Sequence, residues 1–477
     1  MVFTSFIYYL FFPTVFGLYW FVFQRNFKAQ NVLLLVASYF FYGWWDWRFL
    51  SLVAFSTVLD YTMGRLIGAQ EDDRKRRWLL WISLGINLAF LGFFKYYNFF
   101  VTSWVDAWAS VGIHMPDATL NIILPLGISF YTFQSMSYSL DVYKGRMQPL
   151  KDFLSFATFV SFFPQLVAGP IERAVHFLPQ VTQPRKFDYQ RAVDGIRLML
   201  WGMFKKVVIA DNLAVMVDEI YRQNESLGSI TLVLGAIYFT VQVYCDFSGY
   251  SDIAIGSAKL LGFELMSNFR FPLFARTIPE FWSRWHISLT TWLNDYLFTP
   301  VSLSLRNLRK NGIALAILFT FLVSGFWHGA KWTFVVWGLI NGLFFIPYVI
   351  KGKLLQRGEV VAKGKWLPTI REAVQILLVF SLWTLTLVFF RADNMAVALG
   401  YFKNAGSHWG GPVMFKTGVI YVVILLFLDW FNREDERNPK VLRMGPRPVR
   451  MVVELVMAIV IFFNMLSGYK EFVYFDF

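Results

Sequence analysis

The chain has 477 residues, 57% of them hydrophobic and 20% aromatic, with only 16% charged and a formal net charge of +13. Soluble domains carry roughly 25% charged residues, and a soluble chain of this length would divide into ~3 domains joined by polar linkers, which do not appear. Disordered chains, collagens, disulfide scaffolds and ordinary cytosolic enzymes are excluded; an all-α, polytopic bundle of transmembrane helices remains.

The first apolar run, residues 3–23, lacks the basic start and small-residue cleavage site of a secretory signal, so it reads as a retained membrane helix. Further candidate spans cover 31–45, 49–66, 78–100, 121–140, 153–167, 196–213 and 230–249. After them come 312–327, 332–350, 373–390, 417–428 and 452–467. Residues 153–167 run into Phe162-Phe163-Pro164 and then Ala168-Gly169-Pro170. A Pro/Gly-broken stretch at membrane depth predicts a re-entrant element buried in protein. Some runs are too short to cross, so about 10–12 spanning helices are expected, with re-entrant and interfacial helices beside them.

Basic residues gather in short loops. Arg25 and Lys28 follow the first run, Arg74-Lys75-Arg76-Arg77 the third, and Arg306, Arg309 and Lys310 precede residue 312. Two larger groups span residues 351–371 and 433–450. Placing all five in the cytoplasm gives one consistent alternation with both termini outside, as in a multi-pass protein of a bacterial cytoplasmic (inner) membrane. The positive charge therefore reads as topology, and no nucleic-acid partner is expected. The single cysteine, Cys245, lies in an apolar run and reads as a small buried hydrophobe. Walker A, H-E-x-x-H and G-x-S-x-G motifs are absent, and no internal repeat is seen.

Ionisable groups inside membrane segments are costly, and each marks a candidate site. The first constellation is Asp246-Phe247-Ser248-Gly249-Tyr250-Ser251-Asp252. Its carboxylates could hold a donor, a cation or a proton; alternatively they mark a helix break, capping the next helix or pairing with arginine. The second is residues 279–296, where Trp282, Trp285, Leu289 and Trp292 recur at helical spacing beside Arg284, His286, Asn294 and Asp295. This predicts an amphipathic helix, interfacial or buried, with His286 either functional or a hydrogen-bonded spacer. The third is Ser324-Gly325-Phe326-Trp327-His328-Gly329-Ala330. A histidine kept neutral in an apolar site is a competent general base; the alternative is a core histidine satisfied by a carbonyl. No two of His286, His328, Asp246 and Asp252 stand at a one-face helical spacing, so no metal site is predicted.

Phe281-Trp282-Ser283-Arg284-Trp285-His286-Ile287-Ser288-Leu289 followed by Trp327-His328-Gly329-Ala330 resembles the paired signature of the membrane-bound O-acyltransferase (MBOAT) family. Leu124-Pro125-Leu126-Gly127, Phe163-Pro164-Gln165-Leu166 and Asp246-Phe247-Ser248-Gly249 resemble its alginate-type, polysaccharide-modifying branch in the same order. The resemblance implies one integral membrane domain over 1–477: N-terminal helices 1–120, a catalytic core 121–350 and C-terminal helices 351–477, forming a ring of tilted helices around a funnel. It implies His328 as catalytic histidine and His286 as the second signature histidine. Trp285, Arg284, Asn294, Asp295, Trp327, Asp246, Ser248, Tyr250 and Asp252 are then candidates for lining the substrate path. No cofactor would be bound permanently. An acyl thioester, acetyl-CoA above all, would be the cytoplasmic donor. The acceptor would be a hydroxyl of an extracytoplasmic polysaccharide, reached through a partner acyltransferase of SGNH-hydrolase type. D-alanyl transfer to teichoic acid from a carrier-protein thioester is the alternative chemistry. A transporter or flippase, and a non-catalytic subunit of an export complex, are the alternatives of other classes. Two departures from the branch stand out: Pro300-Val301-Ser302-Leu303 where it carries a Gly-Gly pair, and the ending Tyr474-Phe475-Asp476-Phe477.

Overall fold

The computed structural model describes residues 1–116, 118–354, 360–466 and 472. The variant ending at residues 474–477 lies outside the described residues. Every regular element among those described is helical. The chain packs as two compact units: Met1–Ala192 with Ser257–Met266, and Val193–Gly256 with Ser267–Phe477.

Helices begin where the sequence places a polar residue between apolar runs. In the first unit, α1 (Phe27–Asp46) starts at Asn26, whose side chain accepts from the Lys28 and Ala29 amides. Helix α2 covers Leu50–Ala69, and α3 (Asp73–Leu91) is capped by Asp72. These caps satisfy amides that lipid cannot. Helix α4 (Ile128–Tyr143) has 14 of its 16 residues buried, so it runs inside the unit rather than against lipid. It packs on α2 and α3, and the approach is close: a side chain at Gly64 would meet the Tyr138 ring at 2.3 Å. The break expected in residues 153–167 is present. Helix α5 (Phe153–Ser161) stops at Phe162, and only Phe163–Leu166 follows as a single turn with Pro164 in its first turn.

In the second unit, α6 (Tyr189–Met203, its first residues belonging to the first unit) continues as a π-helical stretch, Phe204–Ala210. Helix α7 (Ser229–Leu260) runs 32 residues without interruption. The helix break that was one of the two readings of residues 246–252 does not occur: Gly249 is used for packing instead of bending. Its Cβ would meet the Gly202 carbonyl oxygen at 2.6 Å, and one at Gly256 would meet the Gly195 oxygen at 2.6 Å. Helices α8 (Ile278–Trp282) and α9 (Ile287–Leu293) are short. The long apolar helices α10 (Arg309–His328), α11 (Trp332–Lys351) and α12 (Ile370–Arg391) follow; α11 packs on both others. Thr369 and Glu372 close a capping box on α12. Helices α13 (Gly418–Asn432) and α14 (Arg447–Met465) complete the unit.

Seven helical runs among the described residues are long and apolar enough to cross a membrane, with two shorter apolar helices, Tyr8–Val22 and Gly418–Asn432. Runs are fewer than the apolar stretches of the sequence partly because consecutive helices join, as α1 and α2 do in the 43-residue run Phe27–Ala69. Residues 121–140 yield only α4, whose many Ser, Thr and Gln residues are buried in protein, and 196–213 carries Lys205 and Lys206. The spanning runs expose large apolar side chains, such as Leu455, Phe462 and Phe463 on α14, as helices long and apolar enough to cross a membrane do.

Candidate active site

The site residues of the second unit are built around one sharp turn. The sequence suggests a single aromatic-faced helix over 279–296, but the chain folds as α8, a turn, and α9. His286 stands at the start of α9 with φ 43° and ψ 53°, in the left-handed region that a branched ring residue adopts at a cost of about 1–3 kcal/mol. Asn268 enforces it. Its carbonyl accepts from the Ile287 amide (2.9 Å), its side-chain oxygen from the Ser288 hydroxyl (2.6 Å), and its amide donates to Ser251 Oγ of α7 (3.0 Å). The Arg270 amide donates to the Arg284 carbonyl across the same turn (3.0 Å). The turn replaces the helical stripe by an interlocked cluster: Trp285 stacks on Phe281 (centroids 5.6 Å, 17°) and meets Trp383 at 5.1 Å and Phe269 at 5.1 Å.

His286 is 1% exposed. Its ring meets Phe247 of α7 edge-on at 4.6 Å and Trp327 at 5.7 Å. Burial pushes its imidazole down to about 3, so the ring is neutral at physiological pH.

His328 ends α10 and is 4% exposed. Its ring lies 5.0 Å from Trp327, 5.0 Å from Trp337 of α11 and 5.2 Å from Phe390 of α12. The flanking glycines hold this cage together. A Cβ at Gly325 would meet the Phe334 carbonyl oxygen at 2.3 Å, one at Gly338 the Phe321 oxygen at 2.4 Å, and one at Gly329 the Phe334 ring at 2.3 Å. Their smallness serves the α10–α11 approach. The indole N–H groups of Trp282, Trp337 and Trp383 are buried and find no acceptor among the described residues. Of the three, Trp337 meets the His328 ring, and Trp282 and Trp383 pack against Trp337 at 5.9 and 6.0 Å; such donors are unusual, because buried donors are nearly always satisfied.

The other predicted residues fall in distinct places. Asp246 accepts from Lys206 Nζ (2.7 Å), and Asp252 pairs with Lys205 Nζ (2.7 Å), which also donates to Ser248 Oγ (2.9 Å). Lys206 bonds Asp211 as well (2.8 Å). Tyr250 is buried and stacks on Phe472 (4.9 Å). Arg284 binds the buried carboxylate of Glu280 (2.5 Å), which also pairs with Arg276 (3.1 Å). Trp327 is buried between the two histidines' rings. Asn294 is exposed, donating to Asp295 (3.2 Å), and so stands outside the buried aromatic core. Lys205, Lys206 and Glu280 were not singled out from the sequence. The rule that flagged the aspartates applies equally to two adjacent lysines in an apolar run. Among the described residues no group of three His, Cys, Asp or Glu side chains could hold a metal ion.

Residues 149–390 match the family model for MBOAT, the membrane-bound O-acyltransferase family. The chain belongs to the membrane-bound O-acyltransferase family. Its matched region contains the whole turn, both histidines and the α10–α12 cage. The chain is 40% identical over 405 residues to a protein of Pseudomonas putida named probable alginate O-acetylase, covering 83% of this chain and 79% of that one. It is 35% identical over 410 residues to a peptidoglycan O-acetyltransferase of Helicobacter pylori, covering 80% and 75%. A teichoic acid D-alanyltransferase of Streptococcus thermophilus is 28% identical over 265 residues, covering 52% and 62%. This MBOAT protein is thus a multi-pass membrane O-acyltransferase.

Proposed function

We propose that this MBOAT protein transfers an acetyl group from a thioester presented on the cytoplasmic side to a hydroxyl of a polysaccharide outside the cytoplasmic membrane. The observation that carries this reading is His328 in its aromatic cage beside the unpartnered indole N–H of Trp337. In the proposed reaction the acceptor oxygen attacks the thioester carbonyl carbon while its proton passes to the His328 imidazole. The carbonyl oxygen becomes an oxyanion, and the Trp337 N–H is the donor offered to it. Collapse re-forms the carbonyl, breaks the carbon–sulfur bond and returns the proton from His328 to the departing thiolate. The products are the O-acetyl ester and the free thiol. His286 is a positioning residue: neutral and locked in its turn, it braces Trp327, which braces His328.

The acetylating relatives support the substrate class. The acceptor hydroxyl belongs either to the polymer or to a partner acyltransferase of SGNH-hydrolase type that completes the transfer outside. The experiment is a donor comparison: purified protein in lipid nanodiscs receives acetyl-CoA in one arm and a D-alanyl carrier-protein thioester in the other. Acetyl transfer from acetyl-CoA supports the proposal. Exclusive use of the D-alanyl carrier replaces it with the teichoic-acid reading.

A further inference from the structure

The second unit carries an open cleft of about 520 Å³ where the ends of its last three helices meet. The walls come from the loop before α12, the end of α13 and the loop before α14, with Lys365, Trp430, Arg433, Lys440 and Arg443 among them. Lys365 stands just before α12, which begins at Ile370, and Arg443 just before α14, which begins at Arg447. Both helices are long and apolar enough to cross a membrane. The cleft therefore opens where spanning helices leave the hydrocarbon, in the layer of lipid headgroups. Its walls are fixed. The Arg433 guanidinium donates to the carbonyls of Val361 (3.0 Å), Ala362 (3.1 Å) and Lys365 (2.7 Å) and lies over the Trp430 ring at 4.2 Å. The Trp430 indole donates to the Trp366 carbonyl (2.8 Å). Asn432 Oδ1 accepts from the Val441 amide (3.2 Å), which ties the opposite wall to α13.

Three features of this cleft suit an anionic amphiphile. The first is charge. Four cations line it against two carboxylates, Glu434 and Asp435, and both carboxylates are committed. Glu434 pairs with Lys440. Asp435 accepts from the backbone amides of Arg437 and Asn438 (3.1 Å each). Lys365 and Arg443 are exposed and pair with no carboxylate among the described residues. The second is an apolar stripe that leaves the cleft along α13. Trp366 meets Phe431 at 6.2 Å between ring centroids, and Phe431 meets Phe427 at 4.8 Å. Val423 lies one turn further on the same face, and it and Phe427 are exposed. The third is Trp366 itself, 80% exposed at the rim, in the place that tryptophans take at a membrane interface. A small soluble anion would use the charge and leave the stripe bare.

We propose that this cleft binds one anionic phospholipid, its phosphate headgroup held by Lys365 and Arg443 and an acyl chain lying along Phe431, Phe427 and Val423. Arg433 is committed to the loop carbonyls and holds the platform on which Lys365 stands. Lysine and arginine at headgroup level draw anionic lipid, and the chain covers apolar surface that the protein leaves open. The lipid bridges the starts of α12 and α14 to the end of α13, so its binding free energy adds to the stability of the fold. The site stands apart from the acyl-transfer chemistry and does not depend on which group is transferred.

The test is native mass spectrometry of the full chain in detergent, titrated with phosphatidylglycerol or with phosphatidylcholine of the same acyl chains. One phosphatidylglycerol binds more tightly than any phosphatidylcholine. Lys365→Gln/Arg443→Gln weakens it about fivefold for each lost cation. Arg74→Gln/Lys75→Gln, at exposed residues of the first unit, leaves it unchanged. Soluble glycerol phosphate does not displace it. Equal binding of the two lipids overturns the proposal, as does undiminished binding by Lys365→Gln/Arg443→Gln. An equal loss in both double variants overturns it in favour of general attraction to charge, and displacement by glycerol phosphate in favour of a free-phosphate site.

Discussion

The rings of His286 and His328 meet the same indole: Trp327 stands 5.7 Å from the first and 5.0 Å from the second. The two signature histidines, 42 residues apart in the chain, are thereby parts of one packed unit. One is fixed by a strained turn and the other by the end of a long helix.

This relationship predicts that Trp327 acts through placement. Trp327→Leu removes the shared ring but leaves both imidazoles. Misplacing a reacting group by an ångström costs about 100-fold in rate, so a loss of that order in kcat is expected, with donor KM changed much less. Steady-state kinetics in nanodiscs measures it. Unchanged kcat would show that the histidines are positioned independently.

His286 predicts a stability profile. Its folded pKa, about 3, lies below the ordinary value of 6.5, so the unfolded chain binds a proton in the window between them and the folded chain does not. Stability is therefore level above 6.5 and falls as pH drops below it, by at most about 1.4 kcal/mol per pH unit from this group. His286→Asn, whose residue tolerates the left-handed backbone, flattens that part of the curve. Melting temperatures between pH 7.5 and 4.5 compare the two; equal slopes contradict the assignment.

The indole N–H of Trp337 is tested by Trp337→Phe, which keeps an aromatic ring in the cage. Loss of one oxyanion donor typically costs about 100- to 1,000-fold in kcat. Melting temperature should hold or rise, since an unsatisfied buried donor has been removed. A variant with full activity removes Trp337 from the mechanism.

Lys206 and Asp246 are both buried and bonded at 2.7 Å. Removing one partner by Lys206→Met leaves an uncompensated charge and should cost about 3–5 kcal/mol. The double variant Lys206→Met/Asp246→Leu should recover the part of that loss due to Asp246, leaving Asp211, whose side chain is 14% exposed, without its lysine. A double-mutant cycle on unfolding in detergent reads the coupling, and simple additivity would mean the pair contributes nothing specific.

Much of this was legible in the sequence, and the residues explain where legibility ended. The break near Phe162 was readable because Pro164 cannot continue a helix. Gly325 and Gly329 flank His328 in the sequence, but only the structure shows that they allow a close approach, and that Phe334 is the neighbour. The turn at His286 was invisible: it depends on Asn268, 18 residues earlier, and no local propensity encodes it. The helical spacing of Trp282, Trp285 and Trp292 therefore suggested one continuous helix. The uninterrupted α7 was hidden by Gly249 and the aspartates, which read as a break until Lys205 and Lys206 supplied their partners. Asp60 passed unnoticed within an apolar run, because the hydroxyls bonded to it, Ser83 and Ser139, come from two other helices.

The central claim is that His328 is the base of acyl transfer, and one measurement tests it most directly. His328→Ala, checked for a wild-type melting temperature and for membrane insertion, is given labelled acetyl-CoA and acceptor, and label appearing as O-acetyl ester is counted. The account predicts a fall of at least about 100-fold, the typical contribution of a positioned base. Wild-type transfer by a folded His328→Ala protein would contradict it, leaving His328 a core residue and the chain an assembly subunit whose chemistry lies elsewhere.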